Sequence, residues 1–382
     1  MPRPTRTLAA LAAVFALAVA GGAGAQGSAD QAVTSAQRRL PGEKRVRWHD
    51  STAIWSQRVG TQTLGIGRDY QSADPYFDWV FYLRPRYYLW ENDRSSLSLR
   101  GQLMGSVELT NSDTTTRQRE FVLEDTIIAV SPEHAFVKHG EYLTDLTLSL
   151  PRFVIPTSRA GYESGKILQV GVRALFVQAF PLREHGDWLA RGYLGFRGGY
   201  DYQFARSVVP ESTALDRVRT DLEGHLVTNG QLDGGALAEH TGVVHGILHG
   251  DIYQDWIALE SEFGLDPAYK FALPAVSPVC NVSTGCVEPT TVNDPTRLAV
   301  STYLDAYVDF LVFEHALKVE FGYANITGQL GPDGQRRSFF WSPDAKVYMK
   351  LEFQPDFLVK KPDKAVALGT PHERFAGARL RR

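Results

Sequence analysis

The feature that most constrains this chain is an alternation of apolar and polar side chains over segments of about ten residues, repeated along most of its length. Between Trp188 and Phe204 the apolar set Trp188, Ala190, Gly192, Leu194, Phe196, Gly198, Tyr200, Tyr202 and Phe204 interleaves with Arg191, Tyr193, Arg197, Asp201 and Gln203. Side chains on a strand point to opposite faces in turn, so one face of this segment is oily and the other charged. Aromatic residues gather at its two ends, where a lipid-facing band carries its girdles. The same period recurs from Leu97 to Leu109, Val300 to Val312, Leu317 to Tyr323 and Val347 to Phe353. A water-soluble sandwich must cover each oily face with a second sheet, whereas a sheet closed on itself in a bilayer need not. The predicted fold is all-β: a transmembrane antiparallel β-barrel.

Arg3 and Arg6 precede the apolar stretch Leu8 to Ala20, and Ala23-Gly24-Ala25 stands ahead of Gln26. A charged start, an apolar core and an A-x-A site form an export signal, with cleavage expected after Ala25. No cysteine follows the site and no arginine pair precedes the core, so neither a lipid anchor nor a folded-export route is expected. Beyond the signal no run of about 18 apolar residues occurs, so no spanning helix is expected. The length of 382 residues would ordinarily suggest two domains, yet no linker and no shift of composition divides the chain. The expected plan is a signal over 1–25, a flexible periplasmic lead over 26–50, the barrel over 51–358 and a periplasmic tail over 359–382.

A net charge of −3, from 40 basic and 43 acidic residues, argues against a nucleic-acid partner and directs attention to where the charges sit. The only two cysteines, Cys280 and Cys286, flank five residues. In an exported chain such a pair is expected to form a disulfide that pinches a loop tip. A metal pair would need two further ligands, and the flanking sequence offers none.

Twelve strands are predicted, near 54–67, 79–90, 96–109, 120–130, 141–154, 167–180, 188–204, 243–253, 256–272, 298–313, 316–327 and 345–358. Short connections at 91–95, 131–140, 181–187, 254–255 and 314–315 alternate with longer ones at 68–78, 110–119, 155–166, 205–242, 273–297 and 328–344. Bacterial barrels have an even strand number, short periplasmic turns and longer outer loops. Both chain ends are thereby expected in the periplasm, with the cysteine loop and the 205–242 loop outside.

On this pattern the chain resembles the superfamily of Gram-negative outer-membrane β-barrels over most of residues 50–358. Leu150-Pro151 through Ile155-Pro156-Thr157-Ser158 is similar to a Leu-Pro-Thr-Ser/Gly turn in porin-like families that include phenol-degradation-associated barrels. The resemblance implies an outer-membrane site, lipid contact and assembly by barrel-insertion machinery, and it carries over no functional residue. Barrels of this class commonly end on a strand-terminal aromatic residue, whereas this chain continues past Phe357-Leu358 to Arg382.

Several motifs fail on inspection. His245 and His249 sit four apart, a metal-chelating spacing on a helix, but on a strand four residues span about 13 Å. Two imidazoles at that distance cannot close on one zinc at about 2 Å each, so both are read as polar lumen residues. Ser164 misses the G-x-S-x-G elbow by one position, and Gly165-Lys166 lacks the flanking residues of a phosphate loop. An enzyme alternative, a rim-sited hydrolase of lipase or protease type, would draw on His185, Ser207, His240 and Asp251. No metal and no cofactor is expected.

The stronger signal is the placement of charge on the polar face. Arg84, Arg86, Arg100, Arg173, Arg191 and Arg197 come from the first half of the chain, and Asp251, Glu260, Glu262, Asp305, Asp309 and Glu320 from the second. Sequential strands put the two halves on opposite walls, so a transverse field is expected across the lumen, basic on one side and acidic on the other. Glu108, Asp201, Lys318 and Lys350 interrupt the segregation. The opposing expectation is a lumen packed shut by these same charges, since twelve strands lie between the filled small barrels and the open large ones. The function expected is a passive channel for small polar or amphipathic solutes, with the hydrolase and an adhesive or structural barrel as alternatives.

Overall fold

A computed structural model describes residues 46–61, 63–64, 76–92, 94–110, 119–139, 142–181, 189–208, 218–220, 226–228, 236–252, 256–272, 279–281, 285–287, 297–312, 316–329, 336–342 and 345–358. Twelve strands form its wall. They are β1 (Thr52–Gly60), β2 (Phe77–Arg84, continued past Pro85 by Arg86–Glu91), β3 (Ser95–Glu108), β4 (Phe121–Leu123 and Thr126–His139), β5 (Tyr142–Ile155) and β6 (Lys166–Pro181). The second half comprises β7 (Leu189–Ala205), β8 (Ala238–Ile252), β9 (Ile257–Lys270), β10 (Leu298–Val312), β11 (Leu317–Gly328) and β12 (Lys346–Phe353).

Each strand pairs antiparallel with the next, and β12 returns to β1 in the register Ala53↔Phe353 to Gly60↔Lys346. The ring closes, so no sheet edge is left with unpaired backbone groups, which is the condition for a sheet to cross a bilayer. The alternation sets the sidedness. Leu99, Leu103, Leu194, Leu248, Leu259, Phe263, Phe310 and Phe321 are exposed on the outside. Ser98, Ser131, Asp201, Asp309 and Glu320 are buried within. This is the inverse of a soluble protein, and only an apolar solvent satisfies such an exterior. Trp90, Phe136 and Trp256 stand exposed at the short-turn end, and Phe121, Tyr162, Phe204 and Phe340 at the long-loop end.

Four sequence-based boundaries need correction. The stretch 131–140, expected as a turn, is strand through His139. The ladder absorbs Pro132 as a register shift between Ala129 and Glu133. Proline lacks a donor and is tolerated where pairing is already interrupted, and Ser131 Oγ donates to Leu148 O across that gap at 2.6 Å. The first strand ends at Gly60 rather than 67, and the last at Phe353, followed by a 3-10 turn at Pro355–Leu358. The expected flexible lead through residue 50 stops short of it. His49 is buried and stacks on Tyr88 at 3.9 Å, and Tyr88 N donates to Arg47 O at 2.7 Å, fixing 46–51 against β2 at the turn end. The expected signal over 1–25 and the expected tail over 359–382 lie outside the described residues.

In the long loops, Val218–Thr220 pairs with Leu226–Thr228, and Val279–Asn281 with Gly285–Val287. The second hairpin sets Cys280 directly opposite Cys286 in backbone register. Their side chains lie outside the described residues.

Candidate functional site: an arginine-lined cavity inside the barrel

Register builds the site before any side-chain chemistry enters. One row of directly paired positions runs Arg86↔Arg100 across β2 and β3, Arg100↔Ala129, Ala129↔Arg152, Arg152↔Gly171 and Gly171↔Asp201. The adjoining rows bring Arg173 opposite Gly199 and Arg197 opposite Leu175. Small residues between the arginines leave volume, and a cavity of about 170 Å³ opens there. Six guanidinium groups line it, those of Arg84, Arg86, Arg100, Arg152, Arg173 and Arg197, and Asp50 is the acidic residue at its edge.

Two glycines are required by close approach. A Cβ on Gly171 would fall on the Asp201 carboxylate and the Tyr200 carbonyl, and one on Gly199 would fall on the Arg173 stem. Glycine at these two positions lets the Arg173–Asp201 pair lie flat against the wall.

Like charges directly opposite on a sheet repel. Arg86 and Arg100 are such a pair, and both turn to Glu133 on β4: Arg86 Nη2 lies 2.6 Å from Glu133 Oε1, and Arg100 Nη2 bonds the same oxygen. Arg86 Nε also donates to Ser98 Oγ at 3.1 Å. One level along, Arg152 Nη1 reaches Asp201 Oδ1 at 2.8 Å and Arg173 Nη2 reaches Asp201 Oδ2 at 2.5 Å. Arg197 Nη1 lies 2.6 Å from Glu262 Oε1, an oxygen that also faces His245 Nδ1 at 2.7 Å. Each of these carboxylates is therefore divided between two basic groups. At a separation of 4 Å a unit charge pair is worth about 4 kcal/mol in an effective dielectric of about 20, so the second guanidinium on Asp201 and on Glu133 is a large local term, whereas His245 has Asp266 as a further acceptor at 3.0 Å. Asp50 Oδ2, 3.7 Å from Arg86 Nη1, offsets part of it from the turn end.

The other half of the ring is different. Asp251, Glu260, Glu262, Asp309 and Glu320 are buried there, and Asp305 is half-buried. Lys318 Nζ sits among Asp309, Glu320 and Glu352 at 3.3, 3.4 and 3.8 Å, and Lys350 bonds Glu320. His245 lies between Glu262 and Asp266, and His249 between Glu260 at 2.9 Å and Asp251 at 3.0 Å. An imidazole with a carboxylate at each nitrogen donates to both only as the cation. Tyr303 stacks on His245 at 4.3 Å, and Tyr348 donates to Asp305 at 2.7 Å, so aromatic bodies fill this side. These ion pairs lie within one strand, between adjacent strands or between strands one removed, running along the wall.

Of the residues expected at the lumen, Arg84, Arg86, Arg100, Arg173 and Arg197 come together at the cavity, and the six acids and two histidines lie on the facing half. Arg191 is paired in backbone register with Asp251, and its side chain lies outside the described residues. The simple two-sided segregation needs correction. Asp78, Glu108, Glu133, Asp145 and Asp201 are buried in the arginine half, so its positive excess is confined to the cavity rather than spread over the wall. Of the residues the hydrolase alternative would draw on, His240 and Asp251 lie toward opposite ends of β8. His185 lies outside the described residues.

Three members of the site escaped sequence reasoning. Arg152 follows Leu146, Leu148 and Leu150 at the oily parity, and a register shift between Ser149 and Arg152 turns it inward. Pro151 was the one available sign of that bulge. Glu133 fell in the supposed turn, and Asp50 in the supposed lead.

No family model matches this chain, and no curated protein matches it. Among solved structures, an outer membrane channel from Pseudomonas putida F1 is 9% identical with a TM-score of 0.46, over 83% of this chain and 100% of that chain. The KdgM porin is 6% identical with a TM-score of 0.31, over 79% and 98%. Outer membrane phospholipase A from Escherichia coli is 8% identical with a TM-score of 0.32, over 86% and 99%. The barrel architecture here rests on the strand pairing and sidedness of this chain itself.

Proposed function

We propose that this barrel is a narrow passive channel in the outer membrane of a Gram-negative bacterium, passing small polar or amphipathic solutes. The observation that carries it is the arginine-lined cavity inside a closed ring, facing a wall rich in carboxylates. Opposed charge at a constriction orients dipolar solutes, and charged linings set pore selectivity. Side chains fill much of the remaining interior, which makes any path narrow and selective rather than wide. No cofactor enters the proposal; outer-membrane lipid and, during assembly, the barrel-insertion machinery are its partners. Export through residues 1–25 would leave a mature chain beginning at Gln26, and a Cys280–Cys286 disulfide would tie the outer hairpin. Intact mass without reductant tests both at once.

The functional test is ion current across planar bilayers containing the purified full chain. Discrete conductance steps whose size changes on replacing Arg197 with Glu are expected. A reconstituted, folded barrel that gives neither current nor solute-driven liposome swelling would overturn the channel.

A further inference from the structure

We infer that the arginine cavity is a binding site for a small oxyanionic solute, of the carboxylate or phosphate class, and that Asp50 acts there as a tethered competitor. This deepens the channel proposal by naming the solute class, and it rests on that proposal for passage of the solute though not for its binding.

The site has unspent binding capacity. Glu133 is divided between Arg86 and Arg100, and Asp201 between Arg152 and Arg173. The Asp201 cluster thus holds two guanidinium groups against one carboxylate, and the Glu133 cluster holds two against Glu133 and the more distant Asp50. Arg100 Nε is buried with no hydrogen-bond partner among the described residues. The guanidinium fork presents parallel donors that match the paired oxygens of a carboxylate or phosphate, a geometry a halide cannot use. The cavity holds about 170 Å³. At about 10–15 Å³ of such space per water, it has room for on the order of ten water positions. A short dicarboxylate or inorganic phosphate fits that space.

Asp50 supplies the internal precedent. It is the acidic side chain at the cavity edge, with Oδ2 at 3.7 Å from Arg86 Nη1. It is held in place by Tyr88 OH, which donates to Oδ2 at 2.8 Å, and by His49 at 3.0 Å. A carboxylate of this chain therefore already sits where a solute carboxylate would approach Arg86. Removing its charge frees that approach.

Isothermal titration of the detergent-purified full chain with sodium succinate and, separately, sodium phosphate, each against a sodium chloride control, tests the inference. Saturable binding of at least one of the two is expected, and the tighter one assigns the class. Arg100→Ala should weaken it about tenfold, and Asp50→Asn should strengthen it several-fold, a gain that misfolding cannot produce. Heat-modifiable mobility on cold SDS gels establishes that each variant is a folded barrel. The inference is overturned if neither oxyanion binds beyond the chloride control, or if folded Asp50→Asn and Arg100→Ala both bind as the parent does. Current in bilayers without oxyanion binding would sink the site and leave the channel standing, whereas binding without current would do the reverse.

Discussion

The arginine half of the lumen and the carboxylate half obey the same rule of burial, and differ in what lies between their charges. On β2 to β7 the basic groups are spaced by Ala129, Gly171 and Gly199, and a cavity results. On β8 to β12 the acidic groups are interleaved with Tyr303, Tyr307, Tyr348, Lys318 and two histidines that pair with them or pack beside them. Buried charge by itself therefore does not make a site. Charge in excess beside vacant volume does, because a guest can then replace the water or protein partner that the charge lacks.

The largest effect should come from removing the carboxylate that keeps two opposed arginines together. Glu133→Ala leaves Arg86 and Arg100 facing each other without their common acceptor, and removing one partner of a buried pair costs about 3–5 kcal/mol. Urea unfolding in detergent should show this loss. Glu260→Gln on the other half, where His249 keeps Asp251 as a second acceptor at 3.0 Å, should cost clearly less. Equal losses would erase the contrast between the halves.

Next in size is the steric requirement at Gly171. Gly171→Ala must displace Asp201 or the backbone at Tyr200, and overpacking of this kind costs about 1–3 kcal/mol. A wild-type melting temperature in that variant would mean that Asp201 is not held where the two arginines need it.

The smallest effect is a pH dependence at the turn end. Burial pulls the His49 imidazolium toward deprotonation, but hydrogen bonds to Asp50 and Glu91 outweigh it and leave the pKa above the ordinary 6.5. The stabilisation is fully present below pH 6.5 and is lost as pH rises through the higher folded value. Protease resistance of the 46–51 segment should thus fall on going from mildly acidic to alkaline buffer. His49→Gln should abolish that dependence, and an unchanged profile in the variant would assign the titration elsewhere.

Much of the fold was legible because period-two patterning fixes both sidedness and strand number once closure is assumed. The alternation of Leu194, Phe196 and Gly198 with Arg197 and Gly199 survives intact in β7. What failed did so at bulges and at sequence-distant contacts. Arg152 turns inward only through a register shift that no local pattern encodes. Glu133 lies in the stretch 131–140, read as a turn, and the ladder there is carried across a register shift that local alternation does not encode. Asp50 reaches Arg86 because the chain before β1 packs on β2, a contact across thirty-six positions that alternation cannot express. The pairing of single carboxylates with two arginines, on which the site depends, is likewise a three-strand property.

The most direct test of the central claim, that surplus positive charge beside the cavity governs what crosses the lumen, is the sign of the reversal potential in a potassium chloride gradient. Anion selectivity is expected for the parent channel, weakened by Arg100→Ala and shifted toward cations by Arg100→Glu, with Glu260→Gln leaving it anion-selective. A cation-selective parent, or a reversal potential indifferent to Arg100, would contradict it.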